Sequence, residues 1–295
     1  MRPYLPLKTR SGLLWENNSN LITGNSDMKS NKLNSTHRSY VFLLYLLPLF
    51  IGLIIFYIMP YLYGWYMSFH NGAEITLSAW VNLFRNEVFL TAVANTLLFW
   101  VISIPLIIVL SVGISFLTYK NRFKNIILSC SAVPLCIPSI YIGGVVLYIY
   151  DLFSVNENSY FAFWVAVIVY IWKYCGFNMI ILTSAFSSFP KSLEEAAYLD
   201  GCGKISFIGR ILLPSVYPEL SFVFLLSLLN SFSMYRELYA IYGMYPPKCI
   251  YLISHFITNN FTKLGYETVS AASCLLSVFL MIIVITVVHR ERRFL

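Results

Sequence analysis

The chain alternates between long apolar runs and short polar segments that carry nearly all of its charge. No charged residue falls between Arg38 and Glu74, and residues 40–63 are the apolar part of that stretch. A second run, 90–117, lies between Glu87 and Lys120, and a third, 126–150, between Lys124 and Asp151. The fourth, 160–186, is interrupted only by Lys173. The fifth, 215–234, has Glu219 near its start and Arg236 just after its end; the sixth, 268–288, is closed by Arg290. About 20 apolar residues in a helix cross a bilayer core of roughly 30 Å, so each run is long enough to span. The internal prolines Pro48, Pro60, Pro105, Pro134 and Pro138 are tolerated in membrane helices, where neighbours satisfy the freed carbonyls. The pattern predicts an all-α, polytopic membrane protein with six transmembrane helices, its membrane domain covering residues 40–290.

Composition agrees. Of the 295 residues, 58% are hydrophobic and 11% charged, against about 25% charged in an ordinary soluble domain, and the mean hydropathy is +0.71. This excludes a soluble enzyme, a disordered protein and a coiled coil. The net charge of +7 does not indicate nucleic-acid binding, because a positive-inside bias accounts for it. With six spans, fifteen of the twenty basic residues fall on one side: those of the N-terminal tail, Lys120, Arg122, Lys124, Lys191, Lys204, Arg210 and the C-terminal arginines. Arg85, Arg236, Lys248 and Lys263 fall on the other. Both termini are therefore expected in the cytoplasm. Residues 1–39 are polar and Asn-rich and are read as a disordered cytoplasmic tail; residues 291–295 form a short cytoplasmic tail. A start at Met28 fits the pattern as well as one at Met1. The six cysteines lack any C-x-x-C spacing, so neither a disulfide framework nor a metal site is expected, and no cofactor is implied. His37, His70, His255 and His289 are read as surface groups.

The polar segment between the fourth and fifth runs, Phe189 to Pro214, carries the most information. Ser192 and Glu195 have the spacing of a capping box, and Glu194 and Glu195 suit a helix N-terminus. Leu193, Ala196 and Ala197 recur on one face. Gly201 and Gly203 can provide a left-handed cap and turn. A second short helix follows, with Ile205, Ile208, Ile211 and Leu212 as its apolar stripe and Pro214 limiting it. Local physics gives a cytoplasmic helix–turn–helix, which an amphipathic hairpin lying in the membrane interface also satisfies.

The spacing Glu195-Ala196-Ala197, three residues, Gly201, nine residues, Ile211-x-Leu213-Pro214 resembles the EAA loop of binding-protein-dependent ABC transporter permeases. Pro190 and Asp200-Gly201, the run Tyr57 to Phe69, and Trp172-x-x-x-Gly176-Phe177-x-Met179 resemble the maltose and glycerol-phosphate type within that family. Where many members carry Gly-Gly-Pro after the fifth span, this chain has Gly243-Met-Tyr-Pro-Pro247. The resemblance implies a permease of a bacterial plasma membrane that imports a sugar or oligosaccharide delivered by an extracellular solute-binding protein. It implies a heterodimer with a second permease subunit and a cytoplasmic ABC ATPase dimer into which the first short helix docks as a coupling helix. The coupling residues so implied are Glu194, Glu195, Ala196, Ala197, Asp200, Gly201, Ile211, Leu213 and Pro214. The chain has no G-x-x-x-x-G-K-[ST] loop, so phosphoryl transfer belongs to the partner and the chain is not itself an enzyme.

Inside the runs, Lys173 is read as the only charge at depth, facing a cavity or snorkelling outward. Asn95, Asn178 and Asn230 are candidates for helix–helix hydrogen bonds; Lys173, Asn178 and Asn230 are also candidates for a substrate path. An ion-driven secondary transporter is the alternative reading. It should show repeats and carboxylates within spans, whereas Glu219 is read as the only carboxylate near one. An intramembrane protease lacks its motifs here.

Overall fold

The computed structural model describes residues 44–71, 74–153 and 159–292. The tail expected to be disordered, 1–39, with His37, lies outside the described residues, as do the first four residues of the first predicted span. The chain opens with helix α1, Leu44–Ser68. Its apolar first part, through Tyr63, belongs to one compact unit and everything from Gly64 to a second. In the second unit, the short strands β1 (His70–Asn71) and β2 (Glu74–Ile75) pair antiparallel. Helices α2 (Ser78–Arg85) and α3 (Glu87–Thr118) follow. Asn86 starts α3, its side-chain oxygen accepting from the N–H groups of Val88 (2.9 Å) and Phe89 (3.2 Å), as an N-cap should. Then come α4 (Lys124–Cys136), α5 (Ser139–Leu152) and α6 (Ser159–Ser188). They are followed by α7 (Lys191–Leu199) and α8 (Lys204–Ser215), then α9 (Tyr217–Tyr242), α10 (Ile253–Thr262) and α11 (Tyr266–Glu291).

Among the described residues, α1, α3, α6 and α11 are each long and apolar enough to cross a membrane. Two further pairs pass the same test but are sharply bent, α4 with α5 at 88° and α8 with α9 at 83°. The fold is a predominantly helical, polytopic one with four such spans, or six if each bent pair counts as one.

Two of the predicted runs differ in form. The third, 126–150, is a broken helix. Ile137 takes an extended conformation (φ −77°, ψ 123°) ahead of Pro138, because a proline disfavours the helical region for the residue before it. The fifth begins at Tyr217 and runs eight residues beyond the predicted end, to Tyr242. It therefore contains Arg236 and Glu237, which the charge pattern had suggested were outside the span. His255 also differs from expectation. It is fully buried on α10, with Tyr235 and Tyr251 rings beside it. Burial pushes its imidazole down to about 4, so it is neutral at physiological pH and its Nδ1 can accept from the Leu252 N–H.

The core is built where α3, α6 and α9 meet. Tyr170 is fully buried, packs edge-on against Phe99 at 5.4 Å, and donates its hydroxyl to the Ser227 carbonyl at 2.6 Å. That bond satisfies the one polar atom of an otherwise apolar side chain. Close helix approach relies on two glycines. A Cβ at Gly143 of α5 would lie 2.6 Å from the Ala240 carbonyl oxygen of α9, and one at Gly176 of α6 would lie 1.7 Å from that of Ser131 on α4. Small residues at such crossings are how membrane helices gain packing contact.

Candidate functional site

The first candidate region is the segment after α6. Helix α7 begins directly at Pro190, whose carbonyl accepts from Leu193 and Glu194 N–H. Ser192 is thus already inside the first turn, and the expected capping box is not formed. The two carboxylates separate in role. Glu194 is buried and its Oε1 accepts from the Tyr119 hydroxyl at 2.9 Å and the Lys120 ammonium at 2.5 Å. Burial, then the Glu194 carboxylate, push the Tyr119 hydroxyl well above its ordinary range, so it remains a donor. Helix α7 is thereby fastened to the end of α3. Glu195 and Ala196 are exposed, whereas Ala197 is buried. The expected apolar face of Leu193, Ala196 and Ala197 accordingly reduces to Ala197, because Glu194 and Ala197 make the inward face and Leu193 points outward.

The turn follows a recognisable pattern. Asp200 ends the helix, Gly201 sits at φ +81°, the Gly201 N–H bonds to the Tyr198 carbonyl (3.1 Å) and the Cys202 N–H to that of Ala197 (3.0 Å). This is a Schellman cap, which needs a left-handed residue at that position. Gly203 has φ −72° and does not share that role. In α8 the buried face is Phe207 and Leu212, with Ile211 half-buried and Ile205 exposed. A π-helical turn over Ile208–Leu212 adds one residue per turn, which places residues five apart on one face and overrides the stripe expected from α-helical spacing. Phe207 anchors the pair of helices, its ring meeting Tyr198 at 5.4 Å and Phe189 at 5.9 Å. Leu213 and Pro214 form the last turn before the bend at Val216. Beside α7 an open pocket of about 620 Å³ is lined by Lys120, Lys124, Lys191, Glu194 and Glu195, among others.

The second region lies midway along α6. Lys173 of α6 is buried and does not snorkel; it forms an ion pair with Glu237 of α9, which is fully buried. Ser139, at the start of α5, donates to the same carboxylate oxygen at 2.9 Å. The carboxylate missed in the sequence is therefore the partner that makes Lys173 tolerable at depth. Removing one member of such a pair leaves a buried unpaired charge, at a cost of about 3–5 kcal/mol. Lys173 and Asn230 line one cavity of about 550 Å³, together with Leu135–Ser139, Tyr174, Ser233 and Arg236. Asn178 lies elsewhere, bonded through its Nδ2 to Ser227 at 2.9 Å, so of the three predicted path residues two come together and one packs helices. Asn95 also serves packing, donating to the carbonyls of Lys248 and Tyr251.

The family model for the inner membrane component of binding-protein-dependent transport systems matches residues 103–294. The chain belongs to this family. As a binding-protein-dependent transport component it is a membrane permease and not an enzyme. The probable ABC transporter permease MG188 homolog of Mycoplasma pneumoniae is 26% identical over 184 residues, covering 56% of this chain and 56% of that protein. The chain thus spans about half the length of this relative. The probable starch degradation products transport system permease AmyD of Thermoanaerobacterium thermosulfurigenes is 24% identical over 267 residues, covering 83% of this chain and 91% of that one. Among solved structures, a bacterial alginate ABC transporter in complex with alginate pentasaccharide-bound periplasmic protein shares the fold, with a TM-score of 0.73, 23% identity, and coverage of 88% of this chain and 96% of that one. The presence of Glu237 within a helix removes one argument made above against a secondary transporter, and the family match decides the matter independently.

Proposed function

We propose that this permease is one of two membrane subunits of an ATP-driven importer for a sugar or oligosaccharide, receiving its solute from an extracellular binding protein and its power from a cytoplasmic ABC ATPase dimer. The observation that carries this reading is the family match over residues 103–294, which includes the whole α7–α8 segment. Relatives named for starch degradation products and for arabinooligosaccharides support the solute class. In this reading each bent pair is one span, giving six, and residues 40–290 form the membrane domain.

Helix α7 is the coupling helix. Glu195 and Ala196 face outward where a partner can reach them, Ala197 and Gly201 hold the helix and its turn in shape, and Glu194 fixes it to α3. Asp200, Ile211, Leu213 and Pro214 support the turn and the second helix. Solute passes the cavity lined by Lys173 and Asn230, and Asn178 supports the adjoining helix packing. Reconstituted with its partner permease, ATPase and binding protein, the chain is expected to give ATP-dependent uptake of the binding protein's saccharide. Uptake driven by a proton or sodium gradient without ATP would contradict the reading.

Both termini and the α7–α8 segment are placed in the cytoplasm on the distribution of basic residues. Cysteines introduced at positions 122 and 191 are then expected to react with a membrane-impermeant maleimide only after the cells are opened. Labelling in intact cells would reverse the orientation.

A further inference from the structure

The cavity assigned to the solute path carries a charge that its own walls do not balance. Lys173 and Arg236 both line it. Lys173 lies at the middle of the 30-residue α6, a helix about 45 Å long at 1.5 Å per residue, which matches a bilayer with its headgroups. Glu237 meets Lys173 at that level. Arg236 is the residue before Glu237 and, exposed on this chain, stands on the wall of the same cavity. Glu237 neutralises Lys173. Among the described residues the ion pairs are Lys173–Glu237 and Lys120–Glu194, and Arg236 forms none. A guanidinium does not lose its proton in a protein. A fixed positive charge without an ionic partner on the wall of a cavity draws anions to it and points to an anion as its occupant.

Resting on the solute-path reading, we propose that the cavity takes an acidic saccharide, one bearing a carboxylate or a phosphate, with that group against Arg236. The guanidinium fork matches either anion in a two-bond arrangement. Ser139, Asn230 and Ser233 line the same space and supply the hydroxyl and amide groups that sugar hydroxyls need, while Tyr174 adds a ring. Lys173, held by Glu237, contributes hydrogen bonding but no net charge. The acid preference therefore belongs to Arg236 alone, which separates this proposal from one resting on the buried pair.

The test uses the purified permease–ATPase complex without binding protein, so that only the membrane site is read. Calorimetry compares tetragalacturonate and glucose 6-phosphate with their neutral counterparts, methyl-esterified tetragalacturonate and glucose. At least one acidic form is expected to bind about tenfold more tightly than its neutral form, a difference of about 1.4 kcal/mol. Arg236→Gln should abolish that preference and Arg236→Lys should keep part of it. The double variant Lys173→Met, Glu237→Gln removes the pair without changing net charge, and it should retain the preference. Equal binding of acidic and neutral forms overturns the proposal while leaving the sugar path standing. A preference unchanged in Arg236→Gln also overturns it. Failure of all four probes and of neutral maltotetraose to bind overturns both the acidic class and the sugar path.

Discussion

Gly201→Val is expected to abolish most solute uptake while leaving the amount of protein in the membrane unchanged. The residue sits at φ +81°, a region that side chains with a Cβ enter at a cost of roughly 1–2 kcal/mol and β-branched ones least readily. A Cβ there would meet nothing within 4 Å, so the strain is purely of the backbone. The chain relieves it by giving up the bonds from Gly201 to Tyr198 and from Cys202 to Ala197, which re-aims α8 relative to α7. A bias of 1–2 kcal/mol shifts a conformational population by a factor of about 5 to 30, and uptake should fall within that range. Gly201→Asn should be milder, since asparagine tolerates left-handed backbone. The measurements are uptake and co-purification of the ATPase, with membrane level as the control. Full uptake by Gly201→Val would mean that the α7–α8 segment is an interfacial hairpin without a coupling role.

Glu194→Ala is expected to separate ATP hydrolysis from transport. Chain continuity links α7 to α6 and α8, and the Glu194 carboxylate adds α3 through Tyr119 and Lys120. Lys120 is more than half exposed, so its ion pair is screened and contributes little. The part-buried hydrogen bond from Tyr119 carries the link, with a contribution on the order of 1.5 kcal/mol, the low end for a bond to a charged group. Without it, α7 can follow the ATPase while α3 lags. Hydrolysis by the complex should persist, and solute carried per ATP should fall severalfold. Tyr119→Phe should reproduce most of the loss and Lys120→Ala little of it. Unchanged stoichiometry in Glu194→Ala would rule out this linkage. Glu195→Ala should also weaken coupling, but through its outward face and not through α3.

How far these features could be read in the sequence depends on the range of the interaction behind them. The apolar runs are legible because a bilayer leaves the backbone few options besides a helix. Gly201 is legible because its conformation is local and only glycine enters it freely. The roles of Glu194 and Glu195 were not separable, since the partner that distinguishes them, Tyr119, lies 75 residues away. Glu237 was missed for the same reason. Arg236-Glu237 looks like the end of a span until Lys173, 64 residues earlier, is seen opposite. The break at Ile137–Pro138 carries no unique signal either, because Pro105 sits within the unbroken α3. The π-helical turn in α8 puts Phe207 and Leu212, five residues apart, on one buried face, and spacing alone does not show it.

The central claim is that α7 is where ATPase motion enters the membrane domain. The most direct measurement places a photo-reactive amino acid at position 196, on the outward face of α7, in the fully assembled transporter. The account predicts a cross-link to the ATPase subunit whose yield changes between the nucleotide-free and ATP-bound states. Adducts with lipid alone, in both states, would contradict it.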